Sequence, residues 1–254
     1  MAKQSLIYKR VIDILLCTGF MCMMGYHIFS KQLHEYLGII LLIIVFIHLY
    51  LNRSWYQSLR KGSYHFSRIF IIMINITMSV LGVLCMFSGI MMNHYLSFTQ
   101  HLFSISTMRM IHMVSSIWFF ILLGLHLGWH LIKVIKIIKK HLPFFFIISV
   151  MVVMYAVVIL YKRALWKHMF YLTSFAFMPY GESILSFLFD YGCLLIGLSF
   201  ISYEVISYAQ DTHECSLDFL QDHVRFSFTK QDGIFIVDKK FLLYPKINTI
   251  SHKI

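Results

Sequence analysis

Six stretches of this chain run for about twenty residues with almost no charge, a length that matches a membrane's hydrocarbon core. They lie near 11–29, 33–51, 69–92, 108–132, 142–160 and 184–208. Lipid offers no partner for backbone N–H and C=O groups, so such runs fold as helices that satisfy their own backbone. Of the 254 residues, 59% are hydrophobic and 13% charged, too apolar a balance for a soluble chain. The expected fold class is all-α: a polytopic membrane protein with six spanning helices. Membrane lipid is its first expected partner.

The net charge of +11 is spread in a way that argues against nucleic acid. Lys3, Lys9 and Arg10 precede the first run. Arg53, Arg60, Lys61 and Arg68 follow the second, and Lys133, Lys136, Lys139 and Lys140 close the fourth. The opposite ends carry only Lys31 and Arg109. Excess Lys and Arg marks the cytoplasmic side. The N-terminus is thus expected inside, with the second and fourth spans both running from outside to inside. Lys162, Arg163 and Lys167, after the fifth run, depart from this pattern. The first run follows a basic segment but shows no small-residue cleavage site, so it reads as an anchor.

The five cysteines form no C-x-x-C pair and no C-x-x-C-H motif, so neither a disulfide framework nor covalent haem is indicated. There is no Gly-rich nucleotide or phosphate loop. Residues 211–254 turn polar, and VRFSF and GIFIV flank a Lys-Gln-Asp-Gly turn signal, the pattern of a short β-hairpin on a cytoplasmic tail. The expected divisions are a bundle at 1–140, two added spans at 141–210 and this tail.

Imidazole is costly to bury in hydrocarbon, yet the second run is bounded by His34 and His48 and the fourth contains His112 and His126. Each pair is fourteen residues apart, about 21 Å of helix rise and within about 40° of one face. One such pair arises easily by chance among fourteen histidines; two, in parallel spans at matching depth, do not. His34 then meets His112 at the outer level and His48 meets His126 at the inner one. Facing imidazoles stacked this way are what two bis-histidine haems require. A flat macrocycle also needs small neighbours and cations for its propionates. Gly38 and Ser116 stand one turn after the outer histidines, Gly124 and Gly128 flank His126, and Arg109 and Arg53 with Asn52 are the candidate propionate partners. His130, one turn beyond His126, is the alternative inner ligand or a propionate donor; symmetry with the first pair favours His126.

His27, His94 and His101 cluster at outer helix ends, where a quinone or metal site is one reading and solvated loop histidines the plainer one. Three carboxylates stand out: Glu35, Asp13 and Asp190, each either a proton carrier beside a redox group or an interfacial charge. The MCMM run at 21–24 reads as packing methionines rather than a copper site.

The stretches LHEYLGIILLIIVFIHLYLNRSWY, LRKGSYHFSRI and IHMVSSIWFFILLGLHLGWH resemble a widespread bacterial family of small four-helix membrane proteins. That family is related to the di-haem cytochrome b subunits of hydrogenases and formate dehydrogenases. The resemblance covers 11–134, and the FLFDYG helix resembles an additional C-terminal span. It implies non-covalent haem b on His34, His48, His112 and His126, in a bacterial cytoplasmic membrane. It further implies electron exchange between quinone and a flavoprotein or iron–sulfur subunit. The expected function is electron transfer across the membrane by a di-haem b-type cytochrome. A metal-ion transporter using the intramembrane histidines, or a non-redox assembly subunit, stays open as the alternative.

Overall fold

A computed structural model describes residues 2–26, 28–61, 64–93, 103–173, 183–231 and 234–241, with side-chain surroundings described only between 6 and 210. Contacts divide the chain into two units, Met1–Val205 and Ile206–Ile254. The elements are α1 (Ala2–Met23), α2 (Lys31–Leu51), α3 (Arg53–Ser58), α4 (Phe66–Met92), α5 (Ile105–His141), α6 (Phe145–Lys162), α7 (Leu165–Met169) and α8 (Ile184–His223), followed by strands β1 (Val224–Gln231) and β2 (Ile234–Phe241).

Among the described residues, five helices are long and apolar enough to cross a membrane: α2, α4, α5, α6 and the Ile184–Gln210 part of α8. They are the frame of a multi-pass membrane protein. The first expected span is not among them, which corrects the count of six. The α1 helix stops at Met23 rather than continuing to 29, with Lys3, Lys9 and Arg10 in its first half and Asp13 at its middle. Their outer faces are covered with exposed apolar side chains, such as Ile43 and Phe46 on α2, Val80 and Val83 on α4, and Met151 and Met154 on α6. In a membrane protein such faces meet lipid rather than water.

Local chemistry sets the helix ends. The Ser30 hydroxyl accepts from Leu33 N at 3.2 Å and caps α2, a sequence-readable start. The α5 helix has 37 residues, about 55 Å of rise against a core of about 30 Å. Its surplus carries the basic end, Lys139, Lys140 and His141. Ala164 turns the chain from α6 into α7 with φ of 52°, the left-handed region.

Helices pair without a hydrophobic driving force in lipid, so close packing of small residues does the work. On α1, Gly19 admits the Leu41 side chain of α2. A Cβ on Gly124 would stand 2.7 Å from Leu198 Cβ, and one on Gly128 would strike the Ser199 carbonyl of α8. Ser199 Oγ donates to Gly124 O at 3.0 Å across the same contact. Gly197 presses α8 onto Ala156 of α6. The buried cluster beneath holds Phe120, Leu123, Leu165, Phe187, Tyr191 and Leu194.

A buried ion pair ties α6 to α8. Arg163 donates to Asp190 Oδ2 from Nη2 at 2.7 Å and from Nε at 3.0 Å, and Tyr155 OH donates to Oδ1 at 2.6 Å. Both charged side chains are under a tenth exposed. Arg163 is therefore consumed inside the fold and is no free surface cation, which weakens the departure from the charge pattern noted above. Asp190 is a structural partner here.

In the second unit, β1 and β2 form an antiparallel ladder from Val224↔Phe241 to Gln231↔Ile234. Residues 232–233 lie outside the described residues, and the hairpin as a whole stays an expectation.

Asp190→Ala should cost about 3–5 kcal/mol, because it strands a buried guanidinium. The paired replacement Arg163→Met with Asp190→Leu should recover most of that loss. Thermal midpoints of detergent-purified protein check both.

Candidate functional site

Four helices of the first unit converge on the histidines, and they divide the work. The α2 helix brings His34 and His48; α5 brings His112, His126 and His130. The α1 and α4 helices bring groups that face the Nδ1 atoms. The His34 and His112 rings stand 6.2 Å apart between centroids, with planes at 76°. Two imidazole–iron bonds of about 2 Å each would set facing nitrogens about 4 Å apart and ring centres about 6 Å apart. The spacing of the two rings is the one that a shared iron between them would need.

The Nδ1 atoms carry the strongest signal. His112 Nδ1 lies 2.9 Å from the Cys85 carbonyl, which can only accept, so the ring proton sits on Nδ1. Ser88 Oγ, 3.3 Å from the same nitrogen, spends its own proton on Leu84 O at 2.7 Å. His126 Nδ1 donates to Asn75 Oδ1 at 2.7 Å. His48 Nδ1 stands 2.8 Å from Asp13 Oδ1, an ion-pair distance without the alignment of a linear hydrogen bond. The Asn52 amide Nδ2 lies 3.4 Å from the same nitrogen and donates to His48 O at 3.0 Å, so the contacts of His48 do not fix its ring proton on Nδ1. In the His112 and His126 rings the Nε2 lone pair is left for another partner. A metal-bound histidine holds its proton in this way. His34 differs: its Nδ1 is buried, and among the described residues nothing hydrogen-bonds to it.

At the inner level, Asp13 lies within Coulombic reach of His126 and His130 as well as His48. His130 packs its ring 4.6 Å from that of His126 but is itself exposed. His126 has the fixed acceptor, and His130 is its neighbour.

The supporting residues expected from sequence are only partly in place. Gly38 faces Met23 of α1, and Ser116 Oγ donates to Met113 O at 3.0 Å within its own helix. Gly124 and Gly128 serve the α8 contact instead of a macrocycle, because they lie on the opposite side of α5. The glycine that does meet a histidine is Gly89 of α4, where a Cβ would stand 3.2 Å from His112 Cε1. Arg53 is exposed and folds back on Tyr50, 4.4 Å above its ring, and Arg109 is exposed on the first turn of α5. Glu35 pairs with Lys31 at 3.7 Å. His27, His94 and His101 lie outside the described residues. Asn75 was detectable in the sequence as the lone amide inside the apolar run of α4. The Cys85 carbonyl was not, since any residue supplies one.

An apolar pocket of about 100 Å³ adjoins His34, lined also by Cys22, Met23, Phe29, Leu33 and Leu37. Among the described residues, no group of three or more His, Cys, Asp or Glu is placed to hold a metal ion. A haem iron asks for only two protein ligands, so its requirement is different. No family model matches the chain, and comparison with curated proteins and with solved structures likewise finds no match.

Asn75→Leu should cost about 1–3 kcal/mol by leaving the His126 Nδ1–H unpaired in a buried setting. Asn75→Asp, which keeps an acceptor, should lose less. Melting of cofactor-free protein in detergent reads the difference.

Proposed function

We propose that this chain is an integral membrane di-haem b-type cytochrome that transfers electrons across a bacterial cytoplasmic membrane, with its N-terminus inside. Quinone or quinol would exchange electrons at one level. A redox partner subunit, a flavoprotein or an iron–sulfur protein, would do so at the other. The observation that carries the reading is the set of Nδ1 contacts. His112 and His126 turn Nδ1 to an acceptor on α4, which leaves Nε2 free to ligate, and His48 Nδ1 stands 2.8 Å from Asp13 Oδ1 of α1.

Bound haem would supply one-electron chemistry at each level. The chain's own residues do the rest. His34 and His112 hold the outer level, His48 and His126 the inner one. Cys85 O and Asn75 fix the tautomers of His112 and His126, Asp13 stands beside His48, and Gly89 lets α4 approach the outer ring. Arg53 and Arg109, exposed at the two ends, are available to propionates. The apolar pocket beside His34 is a slot for part of a quinone ring. Transport of a metal ion along the histidines would call for carboxylates at both depths. Asp13 meets that need at the inner level, and Glu35 is held by Lys31 at the outer one.

Protein expressed with haem supplied should show sharp low-spin b-type bands in a dithionite-reduced minus oxidised spectrum, with two haems per chain by pyridine haemochrome. His34→Ala and His112→Ala should each remove one haem, and together still only one. His48→Ala and His126→Ala should behave likewise for the other, while His130→Ala keeps both. A colourless wild-type protein sinks the reading, and metal flux into vesicles would then favour the transporter.

A further inference from the structure

The end of α5 carries charge that the fold does not use. Lys133, Lys136 and Lys140 follow at spacings of three and four, so they share one side of the helix within about 60°, over about 10 Å of rise. All three are exposed, and among the described residues none has an ion-pair partner. Like charges so spaced repel one another. Lys139 turns elsewhere, its ammonium 5.8 Å over the Tyr203 ring of α8. The chain offers little to neutralise the stripe. No Asp or Glu occurs from 36 to 181, and Arg60 and Lys61, exposed after α3, add to the positive charge.

Depth decides which anion fits. Asn75 stands against His126, so the antiparallel register sets Phe66, the first residue of α4, level with residue 135 of α5. Lys133 is seven residues on from His126 and lies on the same side of α5. Past Phe66 that side has no α4 to cover it, and Lys136 and Lys140 emerge there. The apolar run of α5 from 108 to 132 already spans about 36 Å, more than the core of about 30 Å, so the stripe begins where headgroups lie. Exposed Tyr50 and Tyr64 accompany it, as aromatic rings do at a membrane surface. Ile137, exposed between the lysines, offers apolar surface beside the charge.

We propose that Lys133, Lys136 and Lys140 hold the phosphate of an anionic phospholipid, with an acyl chain laid along Ile137. Lysines clustered just beyond a spanning helix attract anionic lipid. The lipid phosphate stands at the depth of the stripe, and its charge relieves the repulsion among the three ammonium groups. The proposal does not rest on the haem reading, and it applies to protein with or without cofactor.

Electron spin resonance of full-length protein in phosphatidylcholine vesicles tests this, with spin-labelled phosphatidylglycerol or phosphatidylcholine as the probe. The motionally restricted fraction should favour phosphatidylglycerol by about fivefold or more, the effect of one cation near an anionic surface. High salt should shrink the preference. The triple variant Lys133→Gln, Lys136→Gln, Lys140→Gln should bring it close to one, with unchanged helix content by circular dichroism. The corresponding Arg variant should keep it, as should Lys162→Gln at the opposite end of the bundle. No preference in wild type overturns the proposal, and is the result expected if an acidic protein segment already neutralises the stripe. It also falls if the Gln variant keeps the preference. Removal of the preference by inorganic phosphate but not by chloride at matched ionic strength overturns it too, since the site would then take a free anion.

Discussion

The antiparallel register of α4 on α5 is the constraint on which the site depends. Asn75 meets His126, Gly82 meets Phe119 and Gly89 meets His112, so each step of seven residues along α4 is matched by seven along α5. Two glycines sit where large rings come across, and the third position carries the amide that holds an imidazole. A strict seven-residue repeat drifts by about 20° per heptad on a straight helix, and a slight left-handed supercoil cancels the drift. The same arithmetic explains the fourteen-residue spacing of the histidines. Fourteen residues are two heptads, so in a supercoiled bundle the offset of about 40° calculated for a straight helix closes up.

The α2 helix follows the same rule. Leu41 lies midway between His34 and His48, is only 2% exposed, and fits against Gly19 of α1. The histidine face of α2 is thus pinned at its centre by an apolar contact. A shift of one residue in this register would rotate both histidines by about 100° and dissolve both levels together.

The sequence was most informative where physics acts along a single helix. Apolar run length located α2, α4, α5, α6 and α8, and the histidine spacing anticipated that His34 and His112 come together. It was least informative where the answer depends on a second helix. Gly124 and Gly128 are adjacent to His126 along the chain, yet they face α8, because α5 is packed on two sides and proximity in sequence does not say which side a residue serves. Asp13 reads as an interfacial charge until α1 is laid beside α2, and Asp190 reads as a possible proton carrier until Arg163 is found 2.7 Å away. The overcounted first span has a different origin: α1 ends at Met23, so its apolar part includes Lys9, Arg10 and Asp13, and by length and composition it falls outside the helices apolar enough to cross a membrane.

Separating the histidine-bearing helices from the orienting helices has a physical consequence of its own. A histidine whose polar partner lay on its own helix would have its orientation tied to one backbone. Here the facing groups come from other helices, Asp13 from α1 and the Cys85 carbonyl and Asn75 from α4, so ring orientation is set by packing between helices. The geometry of the Nε2 atoms is then only as rigid as the α4–α5 and α1–α2 contacts. The close-fitting glycines Gly19, Gly82 and Gly89 lie in those two contacts. Small residues that let backbones approach closely serve two ends at once in such a bundle. They hold helices together in a medium that offers no hydrophobic drive, and they bring a carbonyl or amide near enough to hold an imidazole proton in place.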